Sequence, residues 1–526
     1  MKNTVKKLTA VGLTLTSVMS LVACGSSTST TKSTSNEKKE VTKPGKFTVM
    51  VDNTVVSESN GGKEFYNYLG TLTGLDINWV RPDHSGYYDA VANAFNGNDQ
   101  PDVVLLSSDY YALYASNGFL WNMTSAWDGS ETKNSGRLIS TANNVLSALL
   151  VNGSDGQKAM YGFSPYRGNG CCTYIKKAWL DKAGIDASKV DGVTMDFNTY
   201  YGYLKQMAQA AGHYVISAPD FVSTEAPYTN YLPEFYQKAN YTFYQDSTGK
   251  YVDGFTQQEM KDALQRIQTA VKDGVIDKAT LGQKTTDARN KFYSTDASTE
   301  SGVFTYWAGT WAQTLRTNLA SKKLDDNLIA INPIKELGTY VERIAPAWCI
   351  NASAENPEGI FKYFIDTMLD GGDVQTAWEY GAKGTHWDTK AETVTLADDP
   401  DGKKSKTYAE GEFHMLPSPE KPSTLMTKNH IDPTLVLTKF KTSDPGEKSI
   451  TEVTKTNAEF FAKNSTVAVP LPMNETLGAD ITDINTARNE AISKVALGDW
   501  TVDQAMKTYN DRVGALVQEV LKSLNK

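Results

Sequence analysis

The segment KFTVMVD, residues 46–52, has the pattern of a β-strand and opens a regular series of elements. Apolar residues at helical spacing follow it and stop at Gly74, and a second strand is predicted over residues 75–80. A second helix and a third strand, residues 102–106, complete the series. An alternation of strands and helices predicts parallel βαβ units and therefore an α/β fold.

The polar segments that follow the first and third strands are candidate ligand-binding loops. They span residues 53–60 and 107–111. In a parallel sheet, ligands bind beyond the carboxyl ends of the strands. The candidate side chains at these strand ends are Asp52, Asn53, Ser108 and Asp109. They can bond ligand hydroxyl groups, although such residues also serve as turn and cap residues at these places.

A second α/β section follows residue 170. Its predicted strands are residues 172–175, 214–218, 303–306 and 328–331. Thr256 and Glu259 have the spacing of a capping box at the start of one helix, and Trp179 is assigned to the core. The acidic stretch 398–411 is predicted to be a hairpin or a solvent loop, and a helix capped by Thr501 and Gln504 ends the chain.

The first 45 residues have the composition of an export signal followed by a tether. Lys2, Lys6 and Lys7 precede an apolar run, residues 8–19, that is too short to span a bilayer. Small residues then end on Cys24, an arrangement that resembles the lipobox of bacterial lipoproteins. The resemblance implies a signal peptide over residues 1–23 and a lipid on the Cys24 thiol. An ordinary secretory signal with an incidental cysteine is the alternative.

Residues 24–45 contain almost no apolar side chain, so they are predicted to be a disordered tether. The signal contains three lysines and no acid, so the formal charge of −9 becomes −12 without it. An acidic chain argues against nucleic acid or an anionic membrane surface as a partner. No later segment has an apolar run of membrane-spanning length.

The remaining cysteines, Cys171, Cys172 and Cys349, permit at most one disulfide. Buried apolar packing is one interpretation, and a bridge from Cys349 to either of the others is the alternative.

Asp399 and Asp401 precede Gly402 as in a calcium loop, but too few ligand positions match. The five histidines are scattered, and no catalytic sequence motif occurs, so we expect no metal, no cofactor and no catalytic residue.

The sequence YWAGTW, residues 306–311, sets Trp307 and Trp311 on either side of Gly309 at a predicted strand-to-helix turn. Side chains at such a turn project toward the crevice rather than into the packed faces of the sheet. Indole rings offer flat apolar surfaces to the C–H faces of sugars. The alternative is that both indoles fill the core.

Several segments, taken in order, resemble the extracellular solute-binding lipoproteins of bacterial sugar ABC transporters, the Gram-positive branch distantly similar to maltose-binding protein. The matching segments are LVAC at 21–24, YGFSPYRG at 161–168, WLDK at 179–182, GFT at 254–256, NPE at 356–358 and YGAKGTHW at 380–387. Each is weak alone, and their common order makes the match specific.

This resemblance implies a two-lobe, type II periplasmic-binding-protein-like fold whose lobes trap a ligand as they close. It implies crossings between the lobes near residues 166–171 and 344–348. The predicted first lobe comprises residues 46–168 and 346–475, and the second comprises residues 169–345 and 476–526.

The same resemblance extends the set of candidate ligand-binding residues. In the family, the turn corresponding to residues 306–311 carries a sugar-stacking tryptophan, and Trp307 is favoured. Tyr166 and Arg167 lie at the first crossing and Trp348 at the second. The candidates in the Gly-x-x-Gly-x-His-Trp stretch are Trp378, His386 and Trp387. For Arg167 the alternative is a structural pair with a hinge carboxylate, and for the others it is structural packing.

The function implied is that of a lipid-anchored, non-enzymatic receptor on the outer face of the cytoplasmic membrane. We expect a monomer that binds a neutral oligosaccharide, of the manno- or xylo-oligosaccharide type, and delivers it to an ABC transporter permease. The alternatives are a surface glycoside hydrolase, which needs two carboxyl groups at a fixed separation, and a receptor for a non-sugar solute such as a peptide.

Overall fold

The computed structural model describes residues 40–97, 99–222, 229–399, 401–403, 405–426, 430–438, 450–469, 471 and 474–525, and gives no side-chain description for Ser108, Asp109 and Glu475. The predicted signal peptide, residues 1–23, and the predicted lipidation site Cys24 lie outside the described residues. The tether prediction lies outside them as far as residue 39.

The strands are short and are distributed along the whole chain. They are β1 (Phe47–Met50), β2 (Ile77–Val80), β3 (Val103–Leu106), β4 (Leu150–Asn152), β5 (Lys158–Met160), β6 (Gly162–Phe163), β7 (Cys171–Lys176), β8 (Phe243–Gln245), β9 (Tyr251–Asp253), β10 (Val303–Trp307), β11 (Leu328–Ala330), β12 (Tyr340–Glu342), β13 (Ala347–Ile350), β14 (Trp387–Asp388), β15 (Glu392–Val394), β16 (Lys406–Tyr408), β17 (His414–Met415) and β18 (Ser465–Val467).

Helices lie in about half of the connections between successive strands and form the end of the described chain. They are α1 (Gly62–Thr73), α2 (Tyr87–Asn96), α3 (Ser108–Ser116), α4 (Thr124–Asp128), α5 (Glu131–Asn134), α6 (Ala142–Ala148), α7 (Lys177–Lys182), α8 (Phe197–Ala211), α9 (Pro233–Tyr236), α10 (Gln258–Lys272), α11 (Thr285–Phe292), α12 (Thr310–Ser321), α13 (Pro357–Ile360), α14 (Asp373–Tyr380), α15 (Glu452–Asn464), α16 (Glu475–Ala496) and α17 (Val502–Leu524). A π-helical turn, Phe361–Ile365, continues α13, and short 3₁₀ turns lie at Glu58–Asn60, His84–Gly86, Ala187–Lys189, Gly254–Thr256, Lys278–Thr280 and Asp366–Leu369.

The first sheet has five strands in the order β2, β1, β3, β13, β6. β1 pairs in parallel with β2 and with β3, as the alternating pattern predicted. β13 returns from the second half of the chain and pairs antiparallel with β3 and β6. All four residues of β3 are buried, which is typical of a central strand covered on both faces.

The second sheet has three strands in the order β10, β7, β11. β7 lies in the centre and pairs antiparallel with both neighbours, and its six residues are buried. In this register Trp307 lies opposite Cys171, so the end of β10 lies beside the start of β7.

The chain passes between the two sheets at two places that the resemblance predicted. It leaves the first sheet after β6 and enters the second at β7, and it returns between β12 and β13. Leu437 belongs to the core of the first sheet and Phe461 to a core beneath the second, so a third passage lies between these residues. The predicted lobe bounds had placed such a passage at residues 475–476, whereas Phe461 already packs with residues of the second sheet.

Buried apolar residues form one core around the first sheet and two around the second. The first contains residues from 47–163, 344–378 and 431–437, and the second contains residues from 175–334 and 477–520. Phe461 of α15 packs in the third core, with Tyr340 and the aromatic residues of β10. The lobe boundaries stay a prediction, and the packing of α15 favours a boundary earlier than residue 475.

Several local predictions need correction. Residues 214–218 do not form the predicted strand. Ile216 makes isolated bridges to Ile276 and Val303, and these do not extend into a ladder. α10 begins at Gln258 after the 3₁₀ turn Gly254–Thr256, so Thr256 and Glu259 do not form the predicted capping box. The segment 107–111 is not a loop, because α3 starts directly after β3. The capping box of Thr501 and Gln504 and the hairpin of β15 and β16 are confirmed.

The sequence predicted that the folded part starts near Lys46. In the structure it starts a few residues earlier. Tyr363 donates a hydrogen bond to the carbonyl of Val41 at 3.3 Å, and Asn356 Nδ2 donates to that of Thr42 at 3.1 Å. Residues 41–43 therefore pack on the first core. None of the helices in the described ranges combines the length and the apolar character that crossing a bilayer requires.

The three cysteines of the folded part are buried, and none of them forms a disulfide within the described part of the chain. Cys349 lies in β13, between β3 and β6 of the first sheet, whereas Cys171 and Cys172 lie in β7 of the second. Of the two interpretations, buried packing is confirmed and the disulfide is not formed.

Candidate functional site

The turn after β10 is the centre of the candidate site. β10 ends at Trp307 and α12 begins at Thr310, so the chain reverses over two residues. Gly309 has φ 69° and ψ −119°, a conformation that favours glycine. Both indoles are half-buried and keep part of their surface accessible, as the sequence predicted for side chains at this turn.

Hydrogen bonds hold this turn directly against the first crossing. The backbone N–H of Ala308 donates to the carbonyl of Gly170 at 3.0 Å, and Asn169 Nδ2 donates to the carbonyl of Ala308 at 3.1 Å. The backbone N–H of Gly309 donates to Asn457 Oδ1 at 2.7 Å. The tryptophan turn is therefore fixed to the segment that joins the two sheets.

Trp307 stacks with an arginine from the second crossing. The guanidinium of Arg343 lies 5.0 Å from the centre of the indole, within the range of a cation–π contact. Arg343 Nε donates to the carbonyl of Gly168 at 2.9 Å, and its backbone N–H donates to the carbonyl of Asn169 at 2.9 Å. One side chain thus connects both crossings to Trp307.

Trp311 has a similar neighbour from a different element. Arg289 of α11 lies 5.2 Å from the Trp311 indole and 5.6 Å from the Tyr306 ring, and its Nη1 donates to the Tyr306 hydroxyl at 3.4 Å. The Tyr306 ring meets the indole edge-on at 4.9 Å. Trp311 is therefore held by residues of the second sheet and its helices.

Tyr166 lies at the first crossing, next to the third passage. Its ring meets that of His430 edge-on at 5.6 Å, and its backbone pairs with Val436. Burial raises the pKa of Tyr166 to about 12, with Arg343 lowering it slightly and Asp432 raising it. The phenol is therefore neutral at physiological pH and can both donate and accept hydrogen bonds.

Arg167 is engaged by a carboxylate of the second crossing. Nε donates to Glu342 Oε1 at 3.0 Å, Nη2 donates to Oε2 of the same carboxylate, and Ser465 lies 3.3 Å from Nη2. The two side chains are 7% and 1% exposed. Of the two interpretations of Arg167, the structural pair is the one that this geometry favours.

Trp348 and Trp378 lie inside the first core rather than on a surface. They are 0% and 1% exposed, and their rings pack against one another and against Phe364. A ligand cannot reach either indole in this conformation, so we do not retain them as candidates. The resemblance had placed Trp348 at the second crossing, but its side chain is buried in the core of the first sheet.

His386 and Trp387 stabilise a loop at the end of α14. His386 Nδ1 accepts from the Ala382 N–H, and Nε2 donates to the carbonyl of Asn60, both at 2.8 Å. Burial lowers the pKa of His386. Trp387 Nε1 donates to the carbonyl of Gly381 at 2.8 Å. Both side chains are buried and hydrogen-bonded, which corresponds to the structural alternative.

The strand-end residues of the first lobe form a separate group. Asp52 accepts from the backbone and hydroxyl of Thr54 at 2.8 and 2.7 Å and from His84 Nδ1 at 2.5 Å. Burial opposes ionisation of Asp52, but these hydrogen bonds outweigh it and lower the pKa of the carboxyl. Asn53 Nδ2 donates to Asp83 at 2.8 Å. The side chains of Ser108 and Asp109 lie outside the described residues.

A stacked pair of tyrosines, which no sequence pattern predicted, lies beside this group. The rings of Tyr88 and Tyr110 are parallel at 3.8 Å, and the Tyr88 hydroxyl accepts from the Ser107 N–H at 3.0 Å. Burial raises the pKa of Tyr88, and the charge of Asp52 contributes to the increase. A flat aromatic surface therefore borders the carboxyl ends of β1 and β3.

The structure thus brings Tyr166, Trp307 and Arg343 together at the crossings, with Trp311 four residues further along the chain. Asp52 and Asn53 lie at the edge of the other sheet. The pattern that could have found Arg343 is its position directly after β12, at the predicted second crossing. No group of three or more His, Cys, Asp or Glu suited to a metal ion was found within the described ranges.

Comparison with known proteins identifies the fold. No family model matches the chain, and no curated protein matches its sequence. A human-milk-oligosaccharide-binding, ABC-transporter-associated solute-binding protein of Bifidobacterium longum infantis is 12% identical with a TM-score of 0.57, over 91% of this chain and 98% of that one. An extracellular solute-binding protein family 1 member of Alicyclobacillus acidocaldarius is 14% identical with a TM-score of 0.56, over 93% and 100%.

Maltose-bound MalE3 of T. maritima is 16% identical with a TM-score of 0.53, over 90% of this chain and 100% of that one. These proteins have the type II, two-lobe fold of periplasmic binding proteins, and this chain shares it along nearly its whole length. The predicted fold class is confirmed, and the resemblance to sugar-binding receptors is confirmed at the level of the fold.

Proposed function

We propose that the protein is a lipid-anchored extracellular receptor that captures an oligosaccharide and delivers it to the permease of an ABC transporter. The observation that carries the proposal is the tryptophan turn at residues 307–311. It lies at the end of a strand, exposes part of two indoles, and is hydrogen-bonded to the first crossing through Asn169 and Gly170. An aromatic surface fixed at a hinge is suited to a ligand that both lobes enclose.

The chemistry of the group fits a saccharide. Indole faces pack against the C–H faces of sugar rings. Hydroxyl, amide and guanidinium groups form hydrogen bonds with the sugar hydroxyls. Tyr166, whose hydroxyl is neutral and lies near the charge of Arg343, supplies such a group at the crossings. In the first lobe, Asp52 and the stacked tyrosines supply a carboxylate and a second aromatic surface.

Closure of the lobes provides the signal that a permease recognises. A ligand that contacts both lobes favours the closed form by contacts that the open form lacks, so binding shifts the population. Few residues need to change conformation for such a hinge motion. The receptor carries out no chemical step, and delivery depends only on this conformational equilibrium.

The first ligands to test are neutral β-linked manno- and xylo-oligosaccharides. Calorimetric titration of the purified protein with xylo-, manno-, gluco- and galacto-oligomers is expected to give saturable binding of at least one series. Absence of binding across the panel contradicts the receptor proposal for these sugars. A parallel incubation followed by a reducing-end assay is expected to release no product, and release of shorter sugars would instead support a hydrolase.

The anchor is proposed from the sequence around Cys24. Acyl chains on this thiol would hold the protein at the outer face of the cytoplasmic membrane, since each buried methylene contributes about 0.8 kcal/mol. Mass spectrometry of the mature N-terminus is expected to find a diacylglyceryl cysteine at residue 24. A Cys24→Ser variant is expected to appear in the culture medium, and its retention at the membrane would contradict the anchor.

A further inference from the structure

The two crossing segments pack backbone against backbone. A Cβ atom built on Gly168 would lie 1.7 Å from the carbonyl oxygen of Arg343, and one built on Gly170 would lie 2.3 Å from that of Val341. Only glycine leaves room for this approach. Residues 168–170 and 341–343 therefore move as one unit, or the contact between them breaks.

Arg343 is the side chain that extends from this unit to the tryptophan turn. Its Nε and its backbone N–H are both used in hydrogen bonds to the first crossing, each at 2.9 Å. Its guanidinium stacks on the Trp307 indole at 5.0 Å. Among the described residues, no carboxylate oxygen lies within 4.0 Å of this guanidinium, so no ion pair explains its position.

Two acidic groups in the neighbourhood of Arg343, Glu342 and Asp432, have other hydrogen-bond partners. Glu342 accepts two hydrogen bonds from Arg167. Asp432, whose charge acts on the same Tyr166 hydroxyl as that of Arg343, accepts from the backbone and the hydroxyl of Thr434 at 3.0 and 2.7 Å. The hydrogen bonds of Arg343 to described residues go to the two crossing carbonyls, and its guanidinium lies over the indole.

We infer that Arg343 is a positioning residue that fixes the Trp307 indole to the crossing unit, so that the ligand platform and the hinge move together. The inference rests on the proposed function and adds a specific role to it. A planar guanidinium can stack on an indole while an N–H at its edge donates a hydrogen bond to a backbone carbonyl. A lysine ammonium cannot do both. The guanidinium lies over the indole of Trp307, which stays partly accessible.

A direct contact between Arg343 and the ligand is the competing explanation, and a double-mutant cycle separates the two. The binding constants of wild type, R343A, W307A and R343A/W307A are measured with the oligosaccharide that wild type binds best. We expect R343A to weaken binding about tenfold, as loss of one well-placed contact does, and to have no further effect in the W307A background. R343K is expected to behave like R343A because it keeps only the charge.

Two results of this cycle would overturn the inference. If R343A weakens binding equally in both backgrounds, Arg343 acts on the ligand without Trp307. If R343A binds as tightly as wild type, the stack has no role in binding. Failure of wild type to bind any oligosaccharide would instead overturn the proposed function, and the positioning role is then decided without a ligand.

The ligand-free test uses protein labelled with 5-fluorotryptophan. The ¹⁹F resonance of Trp307 is assigned by its loss in W307F, and we expect it to move in R343A and R343K while the resonances of the other tryptophans stay in place. R316A is the control, because Arg316 lies on α12 beyond the turn and its nearest acid is Asp326, at 3.9 Å. An unchanged Trp307 resonance in R343A contradicts the positioning role.

Discussion

Arg167 donates two hydrogen bonds to the carboxylate of Glu342, and this buried ion pair joins the two segments that pass between the sheets. The side chains are 7% and 1% exposed, so neither charge has access to water if its partner is removed. We expect E342A to lower the free energy of unfolding by about 3–5 kcal/mol, because Arg167 is then left buried and uncompensated. Denaturant unfolding followed by circular dichroism measures the loss.

A matched surface pair gives the control for this prediction. Arg512 and Glu490 form an ion pair whose side chains are both about half exposed, and E490A is expected to cost less than about 1 kcal/mol. Replacing the buried pair by apolar residues, as in R167M/E342L, should recover most of the stability lost in E342A. Equal losses in E342A and E490A would show that the buried pair has no special role.

Glu234 provides a prediction about pH. This carboxyl is 1% exposed, and burial raises its pKa from 4.5 to about 7, against the hydrogen bonds of Thr173 and Tyr340. Between these pH values the unfolded chain has released a proton that the folded protein keeps. The contribution of Glu234 to stability therefore falls as pH rises from about 4.5 to about 7 and is constant above that range.

The variant E234Q removes this titration while it keeps the shape of the side chain. Relative to wild type, we expect E234Q to gain up to about 3 kcal/mol between pH 4 and pH 8, with the change concentrated between the two pKa values. Unfolding curves at several pH values measure the difference. A difference that is the same at all pH values would mean that Glu234 does not titrate in this range, and E490Q serves as the exposed control.

The cysteines are expected to be unreactive in the native protein. Cys171, Cys172 and Cys349 are buried thiols, and burial raises the pKa of Cys172 to about 12, so that side chain forms almost no thiolate at pH 8. A thiol-reactive reagent should label none of the three in native C24S protein and all three after denaturation without reductant. Labelling of only one thiol in the denatured protein would reveal a disulfide.

Most of the fold was predictable because its elements have strong local patterns. The strand and helix series from residue 46 to 106 and the turn at 306–311 follow from apolar spacing and from glycine positions. The strand predicted at 214–218 failed because its apolar content reflects burial and not pairing, and Ile216 makes only isolated bridges. The third passage between the lobes was included in the predicted lobe bounds at residues 475–476, but no local pattern in the sequence marks its position.

The candidate site was predictable only where a residue's position fixes its exposure. Trp307 and Trp311 follow a strand end, and both remain partly accessible. Trp348 lies near a crossing along the chain, yet its side chain faces the core, since the direction of a side chain depends on strand register. Arg343 and the Tyr88–Tyr110 pair depend on contacts between distant segments, which a single sequence does not show.

The most direct test of the account is a calorimetric titration of wild type, W307A and W311A with the oligosaccharide that wild type binds best. Wild type is expected to bind one ligand, and each variant to bind at least about tenfold more weakly, because truncating a stacking aromatic removes a central contact. W500A is the control, since Trp500 is a partly buried indole between α16 and α17. Unchanged affinity in both W307A and W311A would contradict the central claim that the tryptophan turn binds the sugar.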